Sequence, residues 1–138
     1  MATVYSVQKT KWNQNVPSEK IETTELAGRV RVAFAEYEAA SLAINDVIEM
    51  FNLPNGARIV SGRLAHDALN NSTQLSVGYA AHTSSAGSTV ALDADAYKAA
   101  GSSASATAAN VANTIALGEN SVVDANKDGL PVSVTLTG

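Results

Sequence analysis

Short runs of alternating apolar and polar residues, separated by turn signals about every ten residues, constrain this chain more than any other feature of its sequence. Residues 29–34 show the pattern clearly, because two valines and Phe34 alternate with two arginines and an alanine, which is the period of a half-buried strand. About seven or eight such runs are typical of a β-sandwich or a jelly roll. We therefore predict an all-β fold, with a single β-sandwich or jelly-roll domain over residues 29–138 and an extended N-terminal arm over residues 1–28.

The remaining runs and turns complete this prediction. We expect further strands at residues 57–65, 75–79, 90–92, 114–117, 121–125 and 132–136, and turns at residues 53–56, 70–71 and 126–129, the last of which closes a C-terminal hairpin. Residues 35–51 suit a strand or a helix, and a strand is favoured because the glutamates do not gather on one helical face. Alanines and two aspartates predict a helical turn or two within residues 93–100. Small side chains predict a surface loop over residues 101–113.

Large apolar side chains are scarce in this chain. Val, Ile, Leu and Phe account for 31 of the 138 residues, and alanine alone accounts for 25. Because alanine buries little surface, the hydrophobic share of 46% overstates the size of the core. A thin core predicts that part of the stability comes from a partner.

The charge balance and the missing residue types exclude several classes of protein. Thirteen acidic residues against nine basic ones give a net charge of −4, the wrong sign for a protein that holds nucleic acid by neutralising phosphates. No apolar run approaches the ~18 residues of a membrane span, and the N-terminus lacks the pattern of a signal peptide. We therefore expect a soluble protein made in the cytoplasm, with neither a nucleic-acid nor a membrane partner. The absence of cysteine excludes disulfides, thiolate metal sites and cysteine nucleophiles.

One segment carries part of a metal-binding pattern. Asp124, Asn126 and Asp128 occupy the first, third and fifth positions of a calcium-binding loop, whose oxygen ligands converge on the ion. Position twelve is Thr135, where such a loop needs a bidentate glutamate, so a hairpin turn accounts for these residues better than a calcium site does. We predict no cofactor and retain these three residues as the candidate calcium ligands.

No set of residues predicts catalysis. Asp93 and Asp95 could supply a carboxylate pair, but carboxylates at this spacing more often cap a turn or a helix start. His66 is adjacent to an aspartate, and in a strand the two side chains would point to opposite faces. His82 precedes several serines without the Gly-x-Ser-x-Gly turn of a nucleophile elbow. We therefore expect a protein that is not an enzyme.

The candidate contact residues are basic side chains together with the single tryptophan. Trp12 follows two lysines in the polar arm, where an aromatic side chain often anchors an interface or, alternatively, fills a gap in a thin core. All four arginines lie in the first half of the chain, where they form a basic face for an acidic protein partner or a face that is simply solvated. The candidate partner-binding residues are Lys9, Lys11, Trp12, Arg29, Arg31, Arg58 and Arg63.

Four short motifs give the chain a resemblance to a known family. They are an acidic residue that opens a strand at Asp46, a Leu-Pro-x-Gly-Ala-Arg turn at residues 53–58, a Val-Gly strand end at residues 77–78 and an Asp-x-aromatic turn at residues 95–97. With these motifs, the region of about residues 28–98 resembles the capsid decoration, or cement, proteins of tailed bacteriophages.

This resemblance implies both a fold and a function. Proteins of that family are β-sandwiches or jelly rolls, assemble as dimers or trimers, and clamp neighbouring major capsid protein subunits on the outside of the expanded head without catalysis. The resemblance therefore implies a homo-oligomeric virion protein on the capsid exterior, whose partners are the major capsid protein and copies of itself. The alternative is a head-fibre or tail-associated β-sandwich module that binds a host surface, or a carbohydrate stacked on Trp12, Tyr79 or Tyr97.

Overall fold

The first of the two units of the chain contains a short helix. The structure, a computed structural model, describes residues 6–14, 16, 28–40, 42–69 and 71–138. The chain divides into the units Met1–Ala33 and Phe34–Gly138. In the first unit Val7–Trp12 form helix α1, and the Oγ of Ser6 caps it by accepting a hydrogen bond from the backbone N–H of Lys9 at 3.2 Å. The predicted extended arm thus contains a helix, and its residues 1–5, 15 and 17–27 lie outside the described residues.

The second unit is built of strands, which confirms the predicted all-β class. Its described residues form β1 (Val47–Leu53), β2 (Gly62–His66), β3 (Gln74–Tyr79), β4 (His82–Thr83), β5 (Thr89–Val90), β6 (Asp93–Ser102), β7 (Thr107–Val111) and β8 (Leu130–Thr137). One 3₁₀ turn, Ile115–Leu117, lies between β7 and β8, and the hydroxyl of Thr114 caps it.

The strands pair in a nested order. β1, β8, β3 and β6 form one four-stranded antiparallel sheet, in that order, while β2 pairs with β7 and β4 with β5. The first strand is thus paired with the last, the second with the seventh, the third with the sixth and the fourth with the fifth. Each pair is thus enclosed, along the chain, by the next pair outward. The additional pairing of β8 with β3 joins the outermost pair to an inner one.

The sheets meet in a small hydrophobic core, which makes the second unit β-sandwich-like. The buried residues of this core are Leu75, Val77, Tyr97, Val111, Ala112, Val123, Ala125, Leu130, Val132, Val134 and Leu136. More than half of them come from β3 and β8, and the rest come from β6, β7 and residues 112–125. Valine and alanine predominate, so each residue fills little volume and the core is thin.

Strand β8 is buried on both faces. Val132, Val134 and Leu136 belong to the core, yet Ser133 and Thr135, which point the other way, are also buried. An alternation of apolar and hydroxyl residues usually marks a strand that exposes its polar face to solvent, but here both faces are buried. Ser133 lies opposite Gly78 on β3. The backbone of Asp93 and Ala94, at the beginning of β6, packs against that glycine, so this face is covered too.

Four hydroxyl groups are buried on that second face. The hydroxyls of Ser76, Ser133, Thr135 and Thr137 have no hydrogen-bond partner among the described residues. Thr135 pairs directly with Ser76 across the two strands, so these groups form one continuous patch. Buried hydroxyls without partners cost free energy, which further limits the stability that this sheet can supply by itself.

Two predicted elements are absent. Residues 28–40 form neither helix nor strand, so the strand predicted at residues 29–34 is wrong. Of residues 35–40 and 42–51, which the structure describes, only the part within β1 is regular. The helical turn predicted within residues 93–100 is also wrong, because β6 runs through it. Helix propensity is worth less than ~1 kcal/mol per residue, so pairing with β3 and burial of Tyr97 outweigh it.

The region between β6 and β8 also departs from the prediction. The loop predicted over residues 101–113 contains β7, because this strand pairs with β2 and buries Val111 in the core. The strand predicted at residues 114–117 is the 3₁₀ turn, and the one predicted at residues 121–125 makes only an isolated bridge between Val122 and Arg58.

The predicted turns are present where they can be described. The N–H of Ala57 donates to the carbonyl of Pro54 at 3.1 Å, and Gly56 has φ +78°, a conformation that favours glycine. The N–H of Gly129 donates to the carbonyl of Asn126 at 3.1 Å, but this turn leads into the centre of the sheet and not into a local hairpin. Of the turn predicted at residues 70–71, the first residue lies outside the described residues.

Replacing Gly78 with alanine tests the close packing of the beginning of β6 against β3. A Cβ at Gly78 would overlap the carbonyl oxygen of Asp93 and lie 2.6 Å from the backbone carbon of Ala94. We expect Gly78→Ala to lower the free energy of unfolding by about 3 kcal/mol, at the upper end of the usual cost of overpacking. In the control Gly101→Ala the new methyl group meets only the flexible end of Lys98, so the loss should stay below about 1 kcal/mol. Chemical denaturation measures the free energy of unfolding of both variants, and equal losses would contradict the close packing at Gly78.

Candidate functional site

The most unusual surface is an apolar segment that has no strand partner among the described residues. Residues 28–40, called the open segment from here on, form neither helix nor strand, and Val30, Val32 and Phe34 are 82%, 87% and 84% exposed. No backbone hydrogen bond joins the open segment to another described residue. Contiguous large apolar side chains in solvent mark sites of interaction more often than isolated ones do.

A second unusual surface is the edge of the four-stranded sheet. β1 lies at one end of the strand order and, among the described residues, pairs on one side only, with β8. Its Ile48, Phe51 and Leu53 are half-buried, whereas the core residues of β8 and β3 are buried. The register against β8 shifts between Glu49 and Phe51, which marks a β-bulge. An edge strand presents backbone groups that can receive a further strand.

A groove of about 400 Å³ lies beside the beginning of β1. The turn before β1 is held by two hydrogen bonds. The N–H of Ala43 donates to the carboxylate of Asp46 at 2.8 Å, and the N–H of Asn45 donates to the carbonyl of Leu136 at 2.7 Å. The groove is lined by Tyr37, Leu42, Asp46, Val47, Ile48 and Glu49. The charged side chains of this lining are both acidic, so the groove favours a basic or apolar occupant.

The predicted contact residues fall in both units. Lys9 and Lys11 lie on α1, which ends at Trp12, and Arg29 and Arg31 lie in the open segment. The side chain of Trp12 lies outside the described part of the structure. These residues of the first unit therefore remain candidate contacts.

The two candidate arginines of the second unit occupy different pairings. Arg58 forms the bridge with Val122, and its guanidinium donates to the carbonyl of Asn120 at 2.6 Å. Arg63 lies on β2 opposite Asn110 and is exposed. Asp46 and Glu49 are not among the predicted contact residues. The sequence favoured a strand over a helix for residues 35–51, but it did not predict that this strand would form the edge of a sheet with acidic residues beside it.

The candidate calcium ligands bind other protein groups. The carboxylate of Asp124 accepts hydrogen bonds from the N–H and the hydroxyl of Ser85, at 2.9 and 2.6 Å. The carboxylate of Asp128 accepts from Lys127 at 2.8 Å and from the side chain of Asn126 at 3.2 Å. The carboxylates thus engage different partners, and the described residues contain no group of three or more His, Cys, Asp or Glu side chains placed to hold a metal.

These contacts determine how the two carboxylates ionise. The side-chain and backbone hydrogen bonds from Ser85 lower the pKa of Asp124 below its ordinary value. The hydrogen bond and the charge of Lys127 lower the pKa of Asp128 in the same way. Both carboxylates therefore stay charged down to a lower pH than an ordinary aspartate does.

The histidine and serines that could suggest a nucleophile do not meet. Both ring nitrogens of His82 face backbone carbonyls, that of Ala80 at 3.1 Å and that of Asp124 at 3.2 Å. The hydroxyl of Ser85 is bonded to the Asp124 carboxylate, and that of Ser84 accepts from the N–H of Ser88 at 3.1 Å. This arrangement closes a loop and leaves no serine activated by the histidine.

The tyrosines near His82 belong to the packing of the fold. Tyr97 is only 7% exposed, and its ring centroid lies 6.0 Å from that of Tyr79, which meets His82 edge to face at 5.3 Å. Burial, followed by the nearby Tyr79 and Asp93, raises the pKa of Tyr97 to about 12. A ring so buried cannot stack on a sugar, which weakens the carbohydrate-binding alternative.

Comparison with known proteins returned no relatives. No protein-family model matches the chain, and no curated protein or solved structure matches it. Within the described residues, no helix has the length and apolar character needed to cross a membrane.

Replacing Ser85 with alanine tests the tie between Ser85 and Asp124. Because Ser85 lowers the pKa of Asp124, the tie stabilises the fold above the ordinary titration range of an aspartate and is lost as the pH falls through the lowered pKa. We expect Ser85→Ala to move the pKa of Asp124 upward, as measured by NMR titration of its carboxyl carbon. Asp128 serves as the internal control and should not move, since its partners are Lys127 and Asn126. An unchanged Asp124 titration would contradict the assigned hydrogen bond.

Proposed function

We propose that this chain is a capsid decoration, or cement, protein of a tailed bacteriophage, which binds neighbouring major capsid protein subunits from outside and performs no catalysis. The observation that carries the proposal is the set of exposed apolar side chains in the open segment, and the edge strand β1 of the second unit, which pairs on one side only among the described residues, adds to it. Exposed apolar side chains and an open sheet edge are both features by which proteins bind other protein chains.

The order of strand pairing supports a jelly roll. Pairs 1–8, 2–7, 3–6 and 4–5 are those of two Greek keys wound together, with β1, β8, β3 and β6 in one sheet, β2 and β7 in a second and β4 and β5 in a third. Jelly rolls of eight strands occur in viral capsid domains, although the same fold serves lectins and enzymes as well. The fold is therefore compatible with a virion protein, while the resemblance of the motifs favours that class.

The composition supports a mechanical function. The core is thin, several buried hydroxyls have no partner among the described residues, and the chain exposes apolar surface, so contacts with a partner would add stability. Many identical copies on a symmetric shell would multiply weak contacts, because adjacent capsid subunits could separate only after each clamp had broken. The partners in this proposal are the major capsid protein and other copies of the chain, as a dimer or trimer. Its location is the exterior of the virion, after synthesis in the host cytoplasm.

Co-sedimentation with phage heads tests the proposal. Heads assembled without this protein are mixed with the purified chain, and the bound amount is measured as its concentration rises. We expect saturable binding at a simple ratio to the capsid subunit, with expanded heads binding and unexpanded ones serving as the control. Absence of binding to expanded heads would contradict the proposal, and binding to glycans or to the host surface would support the fibre alternative in its place.

Deleting residues 1–20 tests whether the arm makes the contact. We expect the deletion to abolish binding to heads while the strand signal in circular dichroism stays, because every described strand lies in the second unit. The narrower variant Lys9→Ala with Lys11→Ala should weaken binding, and Lys127→Ala, which changes an exposed lysine in a turn of the second unit, should not. Full binding by the truncated chain would contradict a role of the arm and move the contact to residues of the strands.

A further inference from the structure

We infer that the open segment is a cleavage site for an arginine-directed endoprotease, which hydrolyses the peptide bond between Arg31 and Val32. This inference goes beyond the proposed function, since it concerns the chain by itself and needs no phage head. It rests on three features of the described residues, which are the backbone around this bond, the exposure of the side chains beside it and the pairing of the arginines elsewhere.

The backbone around the bond lacks the contacts that a protease would have to break first. Residues 28–40 contain neither a turn nor a bend, and no backbone hydrogen bond joins them to another described residue. A protein that binds an extended peptide pairs its own backbone groups with those of the peptide. Residues 28–35 supply four residues on each side of the bond, so this stretch can enter a protease cleft without prior unfolding.

The side chains beside the bond are accessible as well. All six residues from 29 to 34 are exposed, and Val32 is 87% exposed. The guanidinium of Arg31 is a planar fork of donors that pairs bidentately with a carboxylate. The chemistry of the segment therefore fits a protease that holds the residue before the cut bond in an acidic pocket.

The arginines of the second unit lie in paired backbone. Arg63 is exposed like Arg31, but it belongs to β2 and pairs with Asn110 of β7. The bond after Arg58 is held too, because the next residue donates its N–H to the carbonyl of Ser121 at 3.0 Å. A bond held in this way is hydrolysed only while the local structure is open, so its cleavage is slow. Arg31 and Arg63 thus form a matched pair that differs in backbone pairing.

The reaction adds one water molecule across the peptide bond. The water oxygen joins the carbonyl carbon of Arg31, and the bond from this carbon to the nitrogen of Val32 breaks. The products carry a carboxylate on Arg31 and an ammonium group on Val32. The protease supplies the catalytic groups, and this chain supplies only the accessible bond.

Cleavage at this bond separates two parts of opposite charge. Residues 1–31 hold five of the nine basic residues and three of the thirteen acidic ones, which gives a net charge of +2. Residues 32–138 hold four basic and ten acidic residues, which gives −6, and they contain every described strand. The cut therefore detaches the basic arm, with its candidate contacts Lys9, Lys11 and Trp12, from the strands.

Digestion of the purified full chain with an arginine-specific endoprotease tests the inference. All four arginines lie in the described residues, so the competition is confined to four bonds. Mass spectrometry of the fragments over time should show the first cut after Arg31, with cuts after Arg58 and Arg63 about a hundredfold slower because local opening must come first. The fragment 32–138 should persist and keep its strand signal in circular dichroism. A first cut after Arg58 or Arg63 would overturn the inference.

Two variants and a control assign the bond. Arg31→Gln should slow the first cut about tenfold, because the side chain that fills the acidic pocket is lost. Val32→Pro keeps the charge and should also prevent cleavage after Arg31, while the fold loses no backbone hydrogen bond of that residue. The control Arg29→Gln changes the neighbouring exposed arginine and should leave the rate unchanged. An Arg31→Gln chain that is cut as fast as the natural one would refute the assignment.

This test and the test of the proposed function fail independently. An open segment that is cut no faster than the bond after Arg63 would refute the cleavage site, and binding to heads would still be decided by co-sedimentation. A chain that is cut first after Arg31 but does not bind expanded heads would refute the proposed function and leave the cleavage site standing.

Discussion

The pairing of β8 on both of its sides is the interaction on which the rest of the structure depends. β8 joins the edge strand β1 to β3, and through β3 to β6, so removing it would leave no four-stranded sheet. It also supplies Leu130, Val132, Val134 and Leu136 to a core with few other large side chains. Backbone hydrogen bonds and apolar burial are therefore concentrated in one segment of eight residues. Among the described strands, β1 and β6 are held in the sheet through β8 and β3, whereas β2 pairs with β7 and β4 with β5.

This concentration explains why the periphery of the sheet is incomplete. With so few large apolar residues, the chain fills the space around β3 and β8 and leaves Ile48, Phe51 and Leu53 of β1 half-buried. The second face of β8 is covered as well, but with small hydroxyl residues that gain little from burial. A domain built in this way has too few large apolar side chains to cover its edge strand β1. That shortage, together with the exposed Val30 and Val32, is the physical basis for the proposed function.

The sequence was most informative where structure is decided locally. The turns at Pro54 and Asn126 follow from the side chains present there, and the strands β3 and β8 follow from regular alternation of apolar residues. Strands β6 and β7 could not be predicted, because alanine, serine and threonine show no periodicity and only distant partners make them strands. The strand predicted at residues 29–34 illustrates the opposite case, in which the pattern is present and the partner is absent from the described chain. For the site, the basic residues of the open segment could be chosen from sequence, but Asp46 and Glu49 required the groove to be seen.

The nested pairing also implies an order in which the fold can form. β4 and β5 are separated by only five residues, so their contact closes the shortest loop and costs the least chain entropy. Each pair that forms then shortens the effective loop of the next, from β3 with β6 outward to β1 with β8. Synthesis runs from the N-terminus, so β8, which the outermost pair needs, leaves the ribosome after the other described strands. The sheet can therefore close only after β8 has been made, and until then the apolar faces of its partners β1 and β3 stay uncovered.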